Sequence, residues 1–304
     1  MPIEQLSSVT AAFTPIITAL VKAEDILGPN RDWGAVNQVQ ANFLGRYFSR
    51  RGEIEGTLTN TSSEQPLKVD SIASYAAEEI NAFLARKGFN IALEPFTTPG
   101  EFGTASVMDV LVKWLNPGRS TQLVAADGQS YPAARLKEGV YVARSSVAEN
   151  PVAFISTQHP DYQVGLIVPD EPIANDFKLV DFVANIRNDH LSPDYRYVGV
   201  IFPKVSLDQR VNIDWLKRMQ TTGDDGLPAI ITQALQQTKY RMNEIGARAE
   251  SAVALGVMRG MAPIENPLVI DRPFVCWIEK TGISLPLFAG YINYPDWKDP
   301  GSLE

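Results

Sequence analysis

Residues 244–262 read Glu244-Ile245-Gly246-Ala247-Arg248-Ala249-Glu250-Ser251-Ala252-Val253-Ala254-Leu255-Gly256-Val257-Met258-Arg259-Gly260-Met261-Ala262. Two periods compete in this run. It is rich in alanine and other helix formers, so an amphipathic helix is one reading. The other is a strand, with Ala247, Ala249, Ser251, Val253 and Leu255 on one face and Arg248 and Glu250 on the other. That alternation suits a strand inserted in a sheet, small side chains against a core and charges in water. From Gly256 to Ala262 the chain is small and flexible and carries one basic residue, Arg259, in a context open to proteases.

Around this run the chain alternates between strand-like and turn-like stretches. Downstream, residues 273–278 and 285–292 are two strand-like runs, separated by the hairpin turn Lys280-Thr281-Gly282. Upstream, residues 140–143, 152–157, 163–168 and 197–202 are apolar runs of strand length between turn residues. Residues 106–115 are almost continuously apolar, bounded by Gly103 and Pro117-Gly118, and predict a buried central strand. Helical spacing marks 9–23 and 36–50, the second ending at Arg50-Arg51-Gly52. Residues 52–67, polar and rich in Thr and Ser, read as strand and loop. Asp70-Ser71 offers a cap for a helix carrying Ile72, Tyr75, Ala76, Ile80, Phe83 and Leu84, with Lys87-Gly88 as its stop. Shorter helices are expected at about 212–219 and 227–236. Helices early and strands late predict an α+β fold. No internal repeat, low-complexity segment or linker interrupts the sequence, so a single domain over 1–304 is expected.

The 304 residues are 45% hydrophobic and 20% charged, enough apolar surface for a sizeable core. Lys and Arg number 27 against 35 Asp and Glu, a formal charge of −8, which argues against nucleic acid as a partner. One cysteine, Cys276, leaves neither an internal disulfide nor a Cys-rich zinc site. The two histidines, His159 and His190, flank turn-like residues and read as plain surface histidines. The longest early apolar stretch, 9–21, contains Thr10, Thr14, Pro15 and Thr18 and is too short to span a bilayer. Glu4 stands where a secretion signal would carry a base. The expectation is a protein that is cytoplasmic or exported without an evident signal peptide, with no membrane contact.

Motifs for chemistry are missing. There is no glycine-rich phosphate loop, no Gly-x-Ser-x-Gly and no His-x-x-x-His. Asp224-Asp225-Gly226 lacks the later ligands of a metal loop and reads as a turn. No carboxylate pair is singled out by spacing. No cofactor, no metal and no catalytic residue is assigned, and the chain is not read as an enzyme.

Asn243-Glu244-Ile245-Gly246-Ala247-Arg248-Ala249-Glu250-Ser251-Ala252-Val253 resembles the hinge of the reactive-centre loop of serpins, roughly Asn-Glu-Glu-Gly-Thr-Glu-Ala-Ala-Ala-Ala-Thr. Downstream, Asp271-Arg272-Pro273-Phe274-Val275-Cys276-Trp277-Ile278, Thr281-Gly282 and Leu287-Phe288-Ala289-Gly290-Tyr291-Ile292-Asn293-Tyr294-Pro295 resemble that family's C-terminal signature. Weaker echoes are Val200-Ile201-Phe202-Pro203-Lys204, Gly165-Leu166-Ile167-Val168-Pro169 and Ile80-Asn81-Ala82-Phe83-Leu84. The resemblance is good over 197–295, fair over 73–196 and close to absent before that. Arg248 stands for the family's acid, Val253 for its Thr, and Gln236 where a histidine is frequent.

The resemblance implies a serpin-like fold: a large central, mostly antiparallel sheet, smaller sheets, shortened N-terminal helices within 1–103 and an exposed reactive-centre loop over about 246–266. It implies irreversible inhibition of a serine protease, or of a cysteine protease, by loop cleavage, acyl-enzyme trapping and strand insertion. Gly246 would be the pivot. Ala247, Ala249, Ser251, Ala252 and Val253 would form the hinge, small enough to enter the sheet without overpacking. Lys204 and Glu244 match a family ion pair at the top of the sheet. Arg259-Gly260 is the expected scissile bond, favouring a trypsin-like target, with Met258, Met261 and Ala262 as alternatives. A monomer is expected. The competing expectation is a serpin-fold binding or structural protein that no longer inhibits, with the early apolar stretch 9–21 packing on a partner.

Overall fold

The computed structural model describes residues 7–59, 66–98, 100–247 and 266–303. The chain enters through β1 (Val9–Ala11), α1 (Phe13–Lys22) and the single turn α2 (Glu24–Leu27), then α3 (Gln38–Arg46) and α4 (Arg51–Thr59). Next come β2 (Leu67–Ser74), α5 (Ala77–Arg86), β3 (Gly103–Val110) and β4 (Val112–Lys113). β5 (Arg119–Val124), β6 (Ser130–Leu136), β7 (Val140–Arg144), β8 (Val152–Ser156) and β9 (Tyr162–Ile167) precede α6 (Asp176–Asn188). After it follow β10 (Ser192–Pro193), β11 (Val200–Pro203), β12 (Val205–Val211), β13 (Gln220–Thr222), β14 (Pro228–Ile230) and β15 (Gln236–Met242). β16 (Gly246–Ala247), β17 (Leu268–Val269), β18 (Phe274–Lys280) and β19 (Phe288–Ile292) complete the fold.

The largest sheet has seven strands in the order β1-β19-β18-β9-β8-β7-β10, all antiparallel. Its centre is apolar on both faces: Phe274, Val275, Cys276 and Trp277 of β18 and Val164, Leu166 and Ile167 of β9 are all fully buried. Such two-sided burial is why these strands read as continuous apolar runs. A Cβ built on Gly165 would lie 2.0 Å from the Trp277 ring, so glycine makes room for the indole. Two four-stranded sheets, β17-β11-β6-β5 and β12-β15-β16-β4, and the pairs β2-β3 and β13-β14 complete an α+β architecture.

Helix α1 buries Phe13, Ile16, Ile17 and Leu20, spaced to face one side, against the main core. The apolar stretch 9–21 is thus consumed within the chain, which corrects its reading as a partner-binding segment. Helix α6 is capped by Asn175, whose Oδ1 accepts from Lys178 N at 3.0 Å, and carries Asp176 in its first turn and Arg187 in its last.

Four sequence expectations are corrected. Residues 106–115, expected as one buried central strand, are divided between β3 and β4, and β3 is half-buried and paired only with β2 among the described residues. Residues 51–59 are helical, because Ile54 has a core to enter. Ile72 lies in β2 opposite Ala105, and α5 begins at Ala77. Ser74, not Asp70 or Ser71, supplies the local polar contacts there: its Oγ accepts from Ala76 N at 3.0 Å and donates to Glu79 Oε2 at 2.6 Å. Residues 212–219 hold only the 3-10 turn Asp214–Leu216, and 227–236 hold β14 and an irregular stretch. Arg218 N and Ile231 N are satisfied across that segment by Ile231 O and Met219 O, a cross-chain pairing that replaces helical bonds.

Candidate functional site

Two strand edges face each other across a gap. β15 pairs along its whole length with β12, but on its other side, among the described residues, only Met242 is paired, opposite Ala247. β3 pairs along Gly103–Val110 with β2, and no described strand lies on its other edge. At the top, β16 sits between β15 and β4, with Gly246 opposite Lys113 and Ala247 opposite Val112. Among the described residues, a cavity of about 1290 Å³ runs on from this point between β3 and β15. Ala12, Pro15 and Ile16 line one side of it, and Phe89, Ile91 and Leu93 another.

Ala247 is buried between its two neighbours. A strand continuing from it in the same direction would turn every second side chain to the same face. Gly246 is needed for a reason the sequence does not reveal. Its φ is not in the left-handed region; a Cβ there would sit 2.4 Å from Val112 O, so the close approach of β4 excludes any side chain.

The turn from β15 into β16 is tied down by backbone and side chain together. Asn243 N donates to Gly246 O at 3.0 Å, and Asn243 Oδ1 accepts from Ile245 N at 2.9 Å. Trp114, fully buried at the end of β4, donates its Nε1–H to Asn243 O at 3.0 Å and its N–H to Ile245 O at 3.0 Å. Gly118 N donates to Glu244 O at 2.7 Å.

Lys204, 3% exposed, lies beneath this turn. Its ammonium is 2.9 Å from Glu244 Oε2 and 2.7 Å from Asp299 Oδ2. Burial alone would lower the Lys204 pKa, but its hydrogen bonds to Asp299 and Glu244 outweigh that and raise it. Burial likewise opposes ionisation of Asp299, yet the Lys204 ammonium and the Gly301 N–H hold its carboxyl below the usual range.

A strap formed by α5 and the segment after it crosses the gap. Asn81 of α5 grips Leu93 through both amide atoms, at 2.8 and 2.9 Å. From the opposite bank, Gln237 Oε1 accepts from Asn90 N (2.9 Å), Gln233 Oε1 from Glu94 N (2.8 Å), and Lys239 Nζ donates to Gly88 O (2.7 Å). Both banks rest on the β1–α1 unit. Thr18 Oγ1 lies 2.6 Å from Ser106 Oγ, which also accepts from Ser71 at 2.9 Å. On the other bank, Gln236 Nε2 donates to Ala12 O at 2.9 Å and Gln209 Nε2 to Thr10 Oγ1 at 2.8 Å.

The structure brings Lys204, Glu244, Gly246 and Ala247 together at the mouth of the gap. Ala249, Ser251, Ala252, Val253, Met258, Arg259, Gly260, Met261 and Ala262 lie outside the described residues. The chain resumes at Asn266, whose Nδ2 donates to Arg196 O at 2.8 Å and whose O accepts from Val198 N at 2.9 Å. Sequence reasoning missed Trp114 and Asp299. The Trp114 indole closes the apolar run 106–115 and was its one clue. Among the described residues no group of three or more His, Cys, Asp or Glu could hold a metal ion, and no helix is long and apolar enough to cross a membrane.

No protein-family model matches the chain. Over 109 residues it is 30% identical to plasminogen activator inhibitor 1 of Neovison vison, a segment that makes up 32% of this chain and 27% of that protein. Over 65 residues it is 38% identical to plasminogen activator inhibitor 1 of Bos taurus, 21% of this chain and 16% of that protein. The chain thus spans about a quarter or less of the length of the curated relatives it matches. Solved structures match over nearly its whole length. A serpin of Schistosoma mansoni superposes with a TM-score of 0.64 at 10% identity, covering 95% of this chain and 96% of that one. A serpin of the insect Tenebrio molitor gives 0.60 at 13% identity, covering 94% and 92%. Human thyroxine-binding globulin, solved as a complex with its thyroxine ligand, gives 0.58 at 12% identity, covering 93% and 91%. The likeness of fold therefore extends before residue 73, where the sequence resemblance is weakest.

Proposed function

We propose that this chain, a serpin by its fold and by its sequence similarity to plasminogen activator inhibitor 1, is a consumed protease inhibitor rather than a turnover catalyst. The observation that carries the reading is the position of Gly246–Ala247, held in register between β15 and β4 at the mouth of a gap with two part-paired edges. A strand running on from Ala247 would present Ala249, Ser251 and Val253 to the face where Ala247 is buried, and Arg248 and Glu250 to the other.

The chemistry belongs to the target protease. Its nucleophile attacks the carbonyl carbon of Arg259, the Arg259–Gly260 amide bond breaks, and the Gly260 amine leaves with a proton. The segment 248–259 is then tethered to the protease through an ester. Its entry into the gap as a strand draws the protease along before water can cleave that ester. Arg259 favours a trypsin-like target, because arginine fills a pocket that carries an acid. Cleavage after Met258, Met261 or Ala262 would point to other specificities. Glu244 and Lys204 hold the top of the incoming strand, and Gly246 admits it beside β4.

A second reading has a specific observation behind it. The similarly folded thyroxine-binding globulin was solved with a bound small molecule, and a cavity of about 1290 Å³ could serve binding without inhibition. Mixing the protein with trypsin in near-equal amounts and running a denaturing gel separates the two. A boiling-resistant band at the summed mass supports inhibition, and peptide sequencing then places the cut. A single clipped product beside free trypsin, repeated with chymotrypsin and elastase, favours the binding reading.

A further inference from the structure

The residues that turn the chain out of β15 toward the gap are gripped from behind by the C-terminal segment 297–303. Trp297, 2% exposed, anchors that segment, its ring 4.7 Å from Tyr294, 5.1 Å from Tyr131 and 6.0 Å from Phe274. Leu303 is buried at its far end. Between these anchors Asp299 does two things. Its Oδ2 accepts from Lys204 Nζ at 2.7 Å, and its Oδ1 accepts from Gly301 N at 2.9 Å. The second bond shapes a turn that presents Gly301 O to Asn243 Nδ2 at 3.1 Å.

Asn243 and Glu244 are therefore each held through one intermediary. With its Nδ2 engaged by Gly301, the Asn243 amide points Oδ1 at the N–H of Ile245. Lys204, buried and in need of neutralisation, is shared between Asp299 and Glu244, which fixes the place that Glu244 must occupy. Two routes from one short segment thus converge on consecutive residues of the turn, Gly301 bonding Asn243 and Asp299 reaching Glu244 through Lys204.

We propose that residues 297–303 form a brace, with Asp299 as a positioning residue, that holds 243–247 in register between β15 and β4 and so commits the following strand to the gap. This rests on the inhibitory reading above. An acyl-enzyme is partitioned between trapping by insertion and release by hydrolysis. A loosened hinge slows the first and leaves the second unchanged, so more inhibitor is spent per protease trapped.

The test uses Asp299→Asn and a chain ending after Lys298, each against the full-length protein with trypsin. Three quantities are measured: the rate of loop cleavage, the moles of inhibitor consumed per trypsin trapped, and amide hydrogen exchange at 244–247. The expected result is a cleavage rate within about twofold of the full-length protein, consumption raised by about threefold or more, and hinge exchange faster by about tenfold. Exchange in β18 and β19 stays constant and reports that the fold is intact; if the shorter chain fails this control, Asp299→Asn alone decides. Unchanged consumption or unchanged hinge exchange in the folded variants overturns the proposal. If the full-length protein traps neither trypsin nor chymotrypsin nor elastase, the inhibitory reading fails by itself. Hinge exchange then carries the test, a rise supporting the brace and no change overturning it.

Discussion

Clipping the segment 248–262 with trypsin should make the protein more heat-stable. A strand entering beside β3 would match its length of 8 residues, and beside β15 its length of 7. Pairing both edges forms about a dozen backbone hydrogen bonds, each contributing about 1 kcal/mol net. Burying Val253 and Leu255 adds about 2 kcal/mol each. Ordering about eight residues costs about 1.2 kcal/mol apiece. The surplus is about 6 kcal/mol. With an unfolding entropy of about 2.1 cal/mol/K per residue over 304 residues, it corresponds to a rise in Tm of about 10 °C. Scanning calorimetry of intact and clipped protein, with the clipped form repurified, measures it directly. Ser251→Pro provides the control: proline in the middle of the inserted strand removes a ladder donor, so the clipped variant should lose most of the gain. A Tm that stays level or falls after clipping, with the only cut confirmed between 256 and 262, would refute the reasoning that the gap receives this strand.

Three further outcomes follow from particular contacts. Ala247→Asp places an unpaired carboxylate at a buried position between Val112 and Met242, so trapping should fall by about tenfold or more while trypsin cuts the loop at its usual rate; equal trapping would remove Ala247 from the inserted strand. Gly165→Ala sets a methyl against the Trp277 ring and should destabilise by about 2–3 kcal/mol in urea unfolding, with an unchanged midpoint as the contrary result. Asp189 is held down to about 2 by hydrogen bonds from the Ser145 hydroxyl and from the amide and hydroxyl of Ser146. Its folded pKa lies below its ordinary 3.8, so its contribution is full above about pH 4 and is lost as pH falls through about 2. The Tm difference between the protein and Asp189→Asn should accordingly be largest above pH 4 and close toward pH 2; a difference that widens in acid would contradict this assignment.

The inner strands β8, β9, β18 and β19 of the seven-stranded sheet were legible because they are buried on both faces and cut off by turns, whereas the edge strands β1, placed within a helix over 9–23, and the two-residue β10 were not. β18 and β19 match their expected runs within a few residues, but Lys280 is the last residue of β18 and the connection runs over 281–287 rather than through a turn at Lys280-Thr281-Gly282, with Gly282 at a left-handed φ of +86°. Helix α6 went unassigned: its buried residues Leu179, Val180, Val183 and Ile186 are interleaved with Lys178, Asp181 and Arg187, which blurs the period. Residues 212–236 carry helix-like spacing, but their backbone groups find partners across the segment, and tertiary pairing overrides local preference. At the site, Lys204 and Glu244 are 40 residues apart and came into view only through the family resemblance. That resemblance stops near Pro295, which is why Asp299, the closer of the two carboxylates to the Lys204 ammonium, stayed invisible.

The β2–β3 pair, α5 and the strap share a small core of their own, with Ile80, Phe83, Leu84, Ala105 and Val107 at its centre and Phe89, Ile91 and Leu93 packed on it. The strap reaches the opposite bank through polar contacts at Gln233, Gln237 and Lys239. Lifting the strap from the opposite bank therefore exposes little apolar surface. The denaturant dependence of that motion should be shallow, a small fraction of the m-value for global unfolding. Mild urea will hardly accelerate it.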